Sequence, residues 1–501
     1  WIATADGGAP ALYAYDYATN TVLEVPTDLA APGGEAGSGF TSSYANVATN
    51  GGLVFEASSA GGGSQLWYTD VFSSLPAYTD VVRGSEGATL DGSWFGTGYW
   101  TNGGFWALTE IAAGGASVTP WYQAAAGATL SDEAEVLGQQ VLFGTTSAAN
   151  NAVLLYDHTT HATSTLLADH LLGAASTVGS GIVFDAFDFT NPLNADADAT
   201  NNVWTLYRYD GSTVTTLMDL PTGGGGGQAV YEWWRHADFL GDDSRIFWKQ
   251  ADDTTGVELH TIDLTAADPG ATLMVVDIRP GPDSGADGAE AAFVNGRLYW
   301  QASDDGTAAQ VQLWTTTDGT DAVAVTGIEL DQYPDRPVVI GDELFFLART
   351  QTTGSQGVFQ VNDDGITAAL ISPITQGQVT GLAAVGSDLY YVAEGQMWVL
   401  EPGATPGAAG EPQQLTNFLL GAFMDDIFQG GDGAVYFSRE EPATGRELWM
   451  LDNTDPTGAR LVADLNTEVV AGGYQPEQLV AVPNPLEATL AGSFGAIYYP
   501  A

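Results

Sequence analysis

The sequence contains no cysteine. Disulfide cross-links and thiolate-held metal sites are thereby excluded as sources of stability or chemistry. Basic residues are almost as scarce: 12 Lys and Arg stand against 62 Asp and Glu, for a formal net charge of −50, and Lys249 is the single lysine. Nucleic acid is excluded as a partner, because phosphate backbones are held by cations and this chain would repel them. No apolar run approaches the roughly 20 residues that a membrane-spanning helix requires, so no membrane span is expected. Gly-x-Ser-x-Gly elbows, phosphate-binding Walker loops and His-Glu-x-x-His helices do not occur either. The aspartate box of sialidases is not matched, since "SDDGTAAQVQLW" has its ingredients at the wrong spacing. The chain begins at Trp1 with neither an initiator methionine nor a signal-like segment, which reads as a mature or trimmed chain, most simply one exported after cleavage.

What is present points to β-structure. Of the 501 residues 45% are hydrophobic and 11% aromatic, and 63 are glycine, a composition suited to many short strands joined by tight turns. The acid excess gives a well-hydrated surface whose self-repulsion salt or bound divalent cations relieve. It reads either as a solvated acidic face or as a cation-binding one.

One strand signature recurs ten times: "NGGLVF" ending at Phe55, "NGGFW" at Trp106, "GQQVLF" at Phe143, "GSGIVF" at Phe184, "GDDSRIFW" at Trp248, "NGRLYW" at Trp300, "GDELFF" at Phe346, "GSDLYY" at Tyr391, "GGDGAVYF" at Phe437 and "FGAIYY" at Tyr499. The intervals from 300 to 346, 391 and 437 are 46, 45 and 46 residues. A period of about 45 residues matches one four-stranded propeller blade. Residues 291–330 show the unit: "AAFVN" (291–295), a turn at Asn295-Gly296, "RLYWQAS" (297–303), "VQLWTTT" (311–317) and "AVAVTGI" (322–328). Asn-Gly is a strong hairpin signal because a type I′ turn needs positive φ at both central residues. Asp318-Gly319-Thr320 makes the next turn, its aspartate placed to bond nearby backbone amides. The apolar runs within strands suit sheets covered on both faces.

The stretches "GRELWMLDNTDPTGARLVADLN" (445–466), "VQLWTTTDGT" (311–320) and "GATLMVVDIRPGPDSGADGAEAAFVNGRLYWQASDDGT" (270–307) carry a resemblance. They resemble the bacterial ELWxxDGT-repeat proteins, closely at Glu447, Leu448 and Trp449 and at Leu313, Trp314, Asp318, Gly319 and Thr320. Elsewhere the pattern departs: residues 257–263 read "VELHTID", with His260 in the tryptophan position, and repeats before 240 keep only the hairpin and an "LY" or "LW" pair. The resemblance implies an exported propeller-like fold and no particular chemistry.

The expected fold is all-β, a large β-propeller of about ten four-stranded blades spanning 1–501. Its ring is expected to close through one shared blade, "GAIYYPA" (495–501) joining "ALYAYD" (11–16) and "TVLEV" (21–25), because closure removes exposed strand edges. Two smaller propellers divided near 221–228, "PTGGGGGQ", form the alternative.

Candidate sites lie where the repeat breaks. "NPLNADADATNN" (191–202) sets Asn194, Asp196 and Asp198 at alternate positions, an oxygen-rich turn of the kind that can hold Ca²⁺, with Asp185 and Asp188 on the preceding strand to complete the shell. A plain acidic loop is the other reading, since the EF-hand Gly and Glu are missing. "VYEWWRHADF" (230–239) concentrates Trp233, Trp234, Arg235 and His236, either a recognition surface for protein or sugar or core packing between blades. "WFGTGYW" (94–100) divides in the same way, while His158, His161 and His170 read as a metal or acid–base group or as surface polar residues. These features lead to an expected role as an extracellular or cell-surface binding or structural module in an extracellular assembly, with bound Ca²⁺ and with other extracellular proteins or surface polysaccharide as partners. A polysaccharide-active hydrolase or lyase, with carboxylates at the central channel, is the alternative.

Overall fold

The computed structural model describes residues 2–3, 11–16, 21–24, 47–49, 52–58, 64–69, 81–83, 88–91, 93–100, 104–112, 117–147, 151–190, 203–220, 239–252, 256–279, 291–303, 311–327, 335–349, 356–371, 379–401, 412–418, 424–429, 434–441, 445–452, 454 and 457–463. These form an all-β, propeller-like array. Among them, seven sheets have four strands whose order in space is their order along the chain. Such up-and-down sheets need only hairpin turns, which explains why Gly, Asn and Asp punctuate the sequence so evenly. No helix among the described residues is long and apolar enough to cross a membrane.

The chain divides into two compact units, one of Trp1–Gln123, Gln378–Glu401 and Gly410–Ala501, the other of Ala124–Gly377 and Pro402–Ala409. The second unit holds five consecutive four-stranded sheets, referred to here by their spans 129–168, 170–219, 240–276, 291–324 and 335–370. Each packs face-on against the next. Ala174, Val178, Val183 and Leu206 of the second sheet meet Ile246, Trp248 and Ile262 of the third. Phe247 and Leu259, on the opposite face of that third sheet, meet Leu298, Trp300 and Ala302 of the fourth. Tyr299 and Leu313 in turn join Leu344, Phe346 and Phe359 of the fifth. Side chains alternate across a strand, so a run such as Ile246-Phe247-Trp248 must be apolar throughout when both faces are covered. Trp248 and Trp300 are fully buried.

The 291–324 sheet shows how closely local signals set local structure. Its strands are Ala291–Val294, Arg297–Ser303, Val311–Thr316 and Val323–Ala324, the last shorter than the sequence pattern indicates. Asn295 and Gly296 adopt φ of 53° and 72°, as the type I′ reading requires. The Asn295 side chain also donates to the Asp342 carbonyl, 2.9 Å away, in the corresponding turn of the next sheet.

In the first unit, Val392 and Met397 of the sheet spanning 379–414 pack with Phe437 and Trp449 of the sheet spanning 424–463. Trp449 therefore packs between sheets. Residues 11–16 pair with Ile2–Ala3 on one side and with 21–24 on the other, in a three-stranded sheet. Residues 495–501, expected to join it, and the glycine run at 221–228 lie outside the described residues.

Candidate functional site

Among the described residues, a capped turn between the third and fourth strands recurs in several sheets. In the 291–324 sheet, Asp318 Oδ1 accepts from the backbone N–H of Thr320 at 2.7 Å and from its hydroxyl at 2.6 Å. Those bonds, the Thr320 hydroxyl first, hold the Asp318 carboxyl below its usual range. Gly319, at φ +91°, sits so close to the preceding sheet that a Cβ there would lie 2.8 Å from the Met274 sulfur and 2.9 Å from Thr261 Cγ2. Arg245 of that preceding sheet donates to the Asp318 carbonyl at 3.3 Å.

The 335–370 sheet repeats the device. Asp364 Oδ1 accepts from the N–H groups of Ile366 and Thr367. Gly365, φ +70°, seats against Arg297 of the preceding sheet, and the Tyr299 hydroxyl donates to its carbonyl at 3.2 Å. In the 170–219 sheet Asp210 takes N–H bonds from Ser212 and Thr213 in the same manner. The Asp-Gly-Thr element is thus a capped turn that docks one sheet onto the sheet before it.

The glutamate position of the Glu-Leu-Trp unit serves a second connection. Glu258 accepts from the Ile278 N–H at 3.3 Å, and Gln396, at the matching position, both accepts from and donates to the backbone of Phe418 at 2.8 and 2.9 Å. Each ties its sheet to the segment leading toward the next one. Glu447 is likewise buried, and the Arg439 guanidinium opposite it lies 3.7 Å from the centre of the Phe418 ring.

Of the residues expected to hold a cation, Asn194, Asp196 and Asp198 lie outside the described residues, as do Trp233, Trp234, Arg235 and His236. Asp185 and Asp188 share the strand Gly181–Asp188, but an odd separation sets them on opposite faces. Asp185 is fully buried and accepts from the Ala174 N–H at 2.7 Å, filling the bulge between Leu172 and Ala175, where Gly173 leaves room for it. Asp188 caps Thr190 through its N–H and hydroxyl and approaches His170 Nε2 at 3.9 Å. His170 also meets the Tyr207 hydroxyl at 3.0 Å, and burial foremost raises that phenol above its usual range. Trp94 and Phe95 of "WFGTGYW" are buried in their strand. Among the described residues no group of three or more His, Asp or Glu side chains is placed to hold a metal ion.

Two further features stand out. Glu135, in the first strand of the 129–168 sheet, accepts a 3.0 Å bond from the Thr177 hydroxyl of the next sheet, and burial raises its carboxyl to about 7 despite that bond. No spacing signal marks it, since it is one acid among several in "SDEAEVL". The second is the turn after Ala152–Asp157. Asp157 caps it by accepting from the N–H and hydroxyl of Thr160 at 2.8 and 2.9 Å, and His161 adopts φ +54°. The rings of His158 and His161 face each other with centroids 5.7 Å apart and planes at 89°, and the buried Tyr156 hydroxyl meets His161 Nδ1 at 3.0 Å.

No protein-family model and no curated protein matches the sequence. Solved structures do match. A prolyl endopeptidase, one of two analysed for the role of inter-domain dynamics in catalysis and specificity, is 13% identical over 72% of this chain and 53% of its own, with a TM-score of 0.36. The β-propeller domain of the Trilobed protease from Pyrococcus furiosus, described as having an open velcro topology, is 12% identical over 69% of this chain and 98% of its own, at a TM-score of 0.30. An acylaminoacyl peptidase of Pyrococcus horikoshii is 10% identical over 68% of this chain and 52% of its own, at 0.30. The chain thus spans about half the length of the two peptidases.

The expected role as a binding or structural module in an extracellular assembly is corrected at this point, together with the polysaccharide hydrolase or lyase offered as its alternative. The structures matched are peptidases and the propeller domain of a protease. Acids that look like catalysts when counted serve the frame instead: Asp185, Asp210, Asp318 and Asp364 accept from backbone N–H groups of bulges and turns.

Proposed function

We propose that this chain is a propeller-type scaffold accompanying a peptidase catalytic unit, on the same polypeptide or on a separate one. The observation that supports a scaffold is the docking turn: Asp318, Asp364 and Asp210 cap their own turns, while Gly319 and Gly365 seat on the sheet before. Carboxylates used in this way hold blades in register and leave the intervening loops to vary, the usual division of labour between a rigid frame and the segments that meet other molecules. Kinship with the ELWxxDGT-repeat proteins and closure of about ten blades into one ring belong to the same proposal. The docking of Asp318-Gly319-Thr320 on the preceding sheet supports the first, and the up-and-down order of the sheets supports the second. The catalytic partner is the part that experiment must decide.

The test is native isolation of the protein from its source, followed by hydrolysis assays with fluorogenic peptides. The expected result is peptide hydrolysis that co-purifies in fixed proportion with this chain or resides on the same polypeptide, while the 501-residue chain alone hydrolyses nothing. Hydrolysis by the chain alone overturns the scaffold reading. A natively isolated protein with no associated peptidase activity overturns the choice of partner.

A further inference from the structure

The turn between the third and fourth strands of the 129–168 sheet occupies the position that Asp318-Gly319-Thr320 occupies in the 291–324 sheet, yet its sequence is Asp157-His158-Thr159-Thr160-His161. The capping aspartate is retained, and its bonds to Thr160 fix the loop. The remaining positions have been given to imidazoles. His158 donates its backbone N–H to the Gln139 carbonyl at 2.8 Å, which anchors its end of the turn to the first hairpin of the same sheet. The left-handed conformation of His161 swings the second ring back toward the first. Side chains three apart, which a strand would send to opposite faces, thereby meet.

We propose that His158 and His161 form a two-histidine chelate for a divalent transition ion of the zinc, copper or nickel type. Geometry carries this assignment. Metal–nitrogen bonds of about 2.0–2.1 Å at a roughly tetrahedral angle place the centroids of two ligating imidazoles about 5 to 6 Å apart. The rings stand 5.7 Å apart without rearrangement. The Tyr156 hydroxyl engages Nδ1 of His161, and Nδ1 of His158 is buried, so coordination is assigned to Nε2 of each ring. A metal-ligating imidazole usually has its tautomer and orientation fixed by donating its far N–H, and the hydroxyl of Tyr156, wholly buried in its strand, is a rigid acceptor for Nδ1–H of His161, which leaves the Nε2 lone pair for the ion. Imidazole nitrogen favours transition ions over calcium and magnesium, which take oxygen. The site is a bidentate one, with water filling the other positions. It stands apart from the scaffold reading, and either can fail alone.

The test is calorimetric titration of metal-free protein with Zn²⁺ and with Ni²⁺ in a background of millimolar Mg²⁺, which occupies the many carboxylates. One ion is expected per chain, with affinity falling at least about tenfold in His158→Gln and in His161→Asn, each of which removes one of two ligands. His170→Gln, outside the turn, is expected to bind as the parent does. Imidazole nitrogen resonances should shift at His158 and His161 on adding Zn²⁺, a readout that does not depend on stability. Absence of stoichiometric binding, or binding that both variants retain at full strength, overturns the proposal and assigns any residual uptake to carboxylates.

Discussion

Two turns occupy the same place in two sheets of one unit and have been put to different uses. At Asp318-Gly319-Thr320 the aspartate caps, the glycine approaches the preceding sheet, and Arg245 of that sheet grips the carbonyl. At Asp157 to His161 the cap persists, but the glycine is gone and two imidazoles face each other across the loop. Capping is a local demand that any such hairpin makes, so the aspartate is kept in both. Docking is a demand made by a neighbour, and at Asp318-Gly319-Thr320 the glycine answers it. A repeat is therefore read best by asking which of its residues answer to the turn and which answer to the next sheet.

The contrast can be broken most forcefully from the core on which it rests. Trp300→Ala removes a fully buried ring between two sheets and is expected to cost about 3–5 kcal/mol, read as a lowered urea midpoint. Gly319→Ala strains a positive φ and forces a methyl group against Met274 and Thr261, for a loss of roughly 2–4 kcal/mol. Gly296→Ala is the matched control. Its φ of +72° carries the strain, but nothing lies within 4 Å of the added carbon, so about 1 kcal/mol is expected. The difference between the two glycines isolates the docking contribution from the turn's own.

Glu135 sharpens the comparison through pH. Burial raises its folded-state value from 4.5 to about 7, so the folded protein prefers the protonated form. Its contribution is whole below pH 4.5 and is lost as pH rises through about 7. Glu135→Gln should remove that slope and leave the variant more stable than the parent in mildly alkaline solution, by roughly 1–2 kcal/mol in denaturant titrations. Asp321 behaves in the opposite sense. Burial works against its charge, yet bonds from Thr316 and Thr317 and the Arg297 cation hold it at about 2. Its contribution is present above 3.8 and is lost as pH falls toward that lower value. Asp321→Asn should therefore flatten the acid limb of the stability curve, by the smallest of these effects.

Much of the frame was legible in the residues. The hairpin at Asn295-Gly296, the strand at 297–303 and the turn at 318–320 follow from short-range preferences that a few neighbouring residues decide. Docking was not legible, because the groups that Gly319 meets lie 45 and 58 positions upstream, at Met274 and Thr261, and only the stacked sheets bring them close. Asp185 and Asp188 looked like partners by proximity in sequence, and strand alternation parts them. His158 and His161 read either as a metal or acid–base group or as surface polar residues, and the left-handed turn that sets their rings 5.7 Å apart was not legible.

The central claim is that an intact Asp-Gly-Thr turn holds sheets together and that the histidine turn binds a divalent ion. Thermal unfolding of Gly319→Ala and of the double variant His158→Gln/His161→Asn, side by side with and without Zn²⁺, tests it directly. The account predicts a lowered midpoint for Gly319→Ala with its Zn²⁺ response intact, and for the double variant a midpoint near that of the parent that Zn²⁺ no longer raises. A Gly319→Ala protein as stable as the parent, or a double variant that loses stability without metal and keeps its response to Zn²⁺, would contradict it.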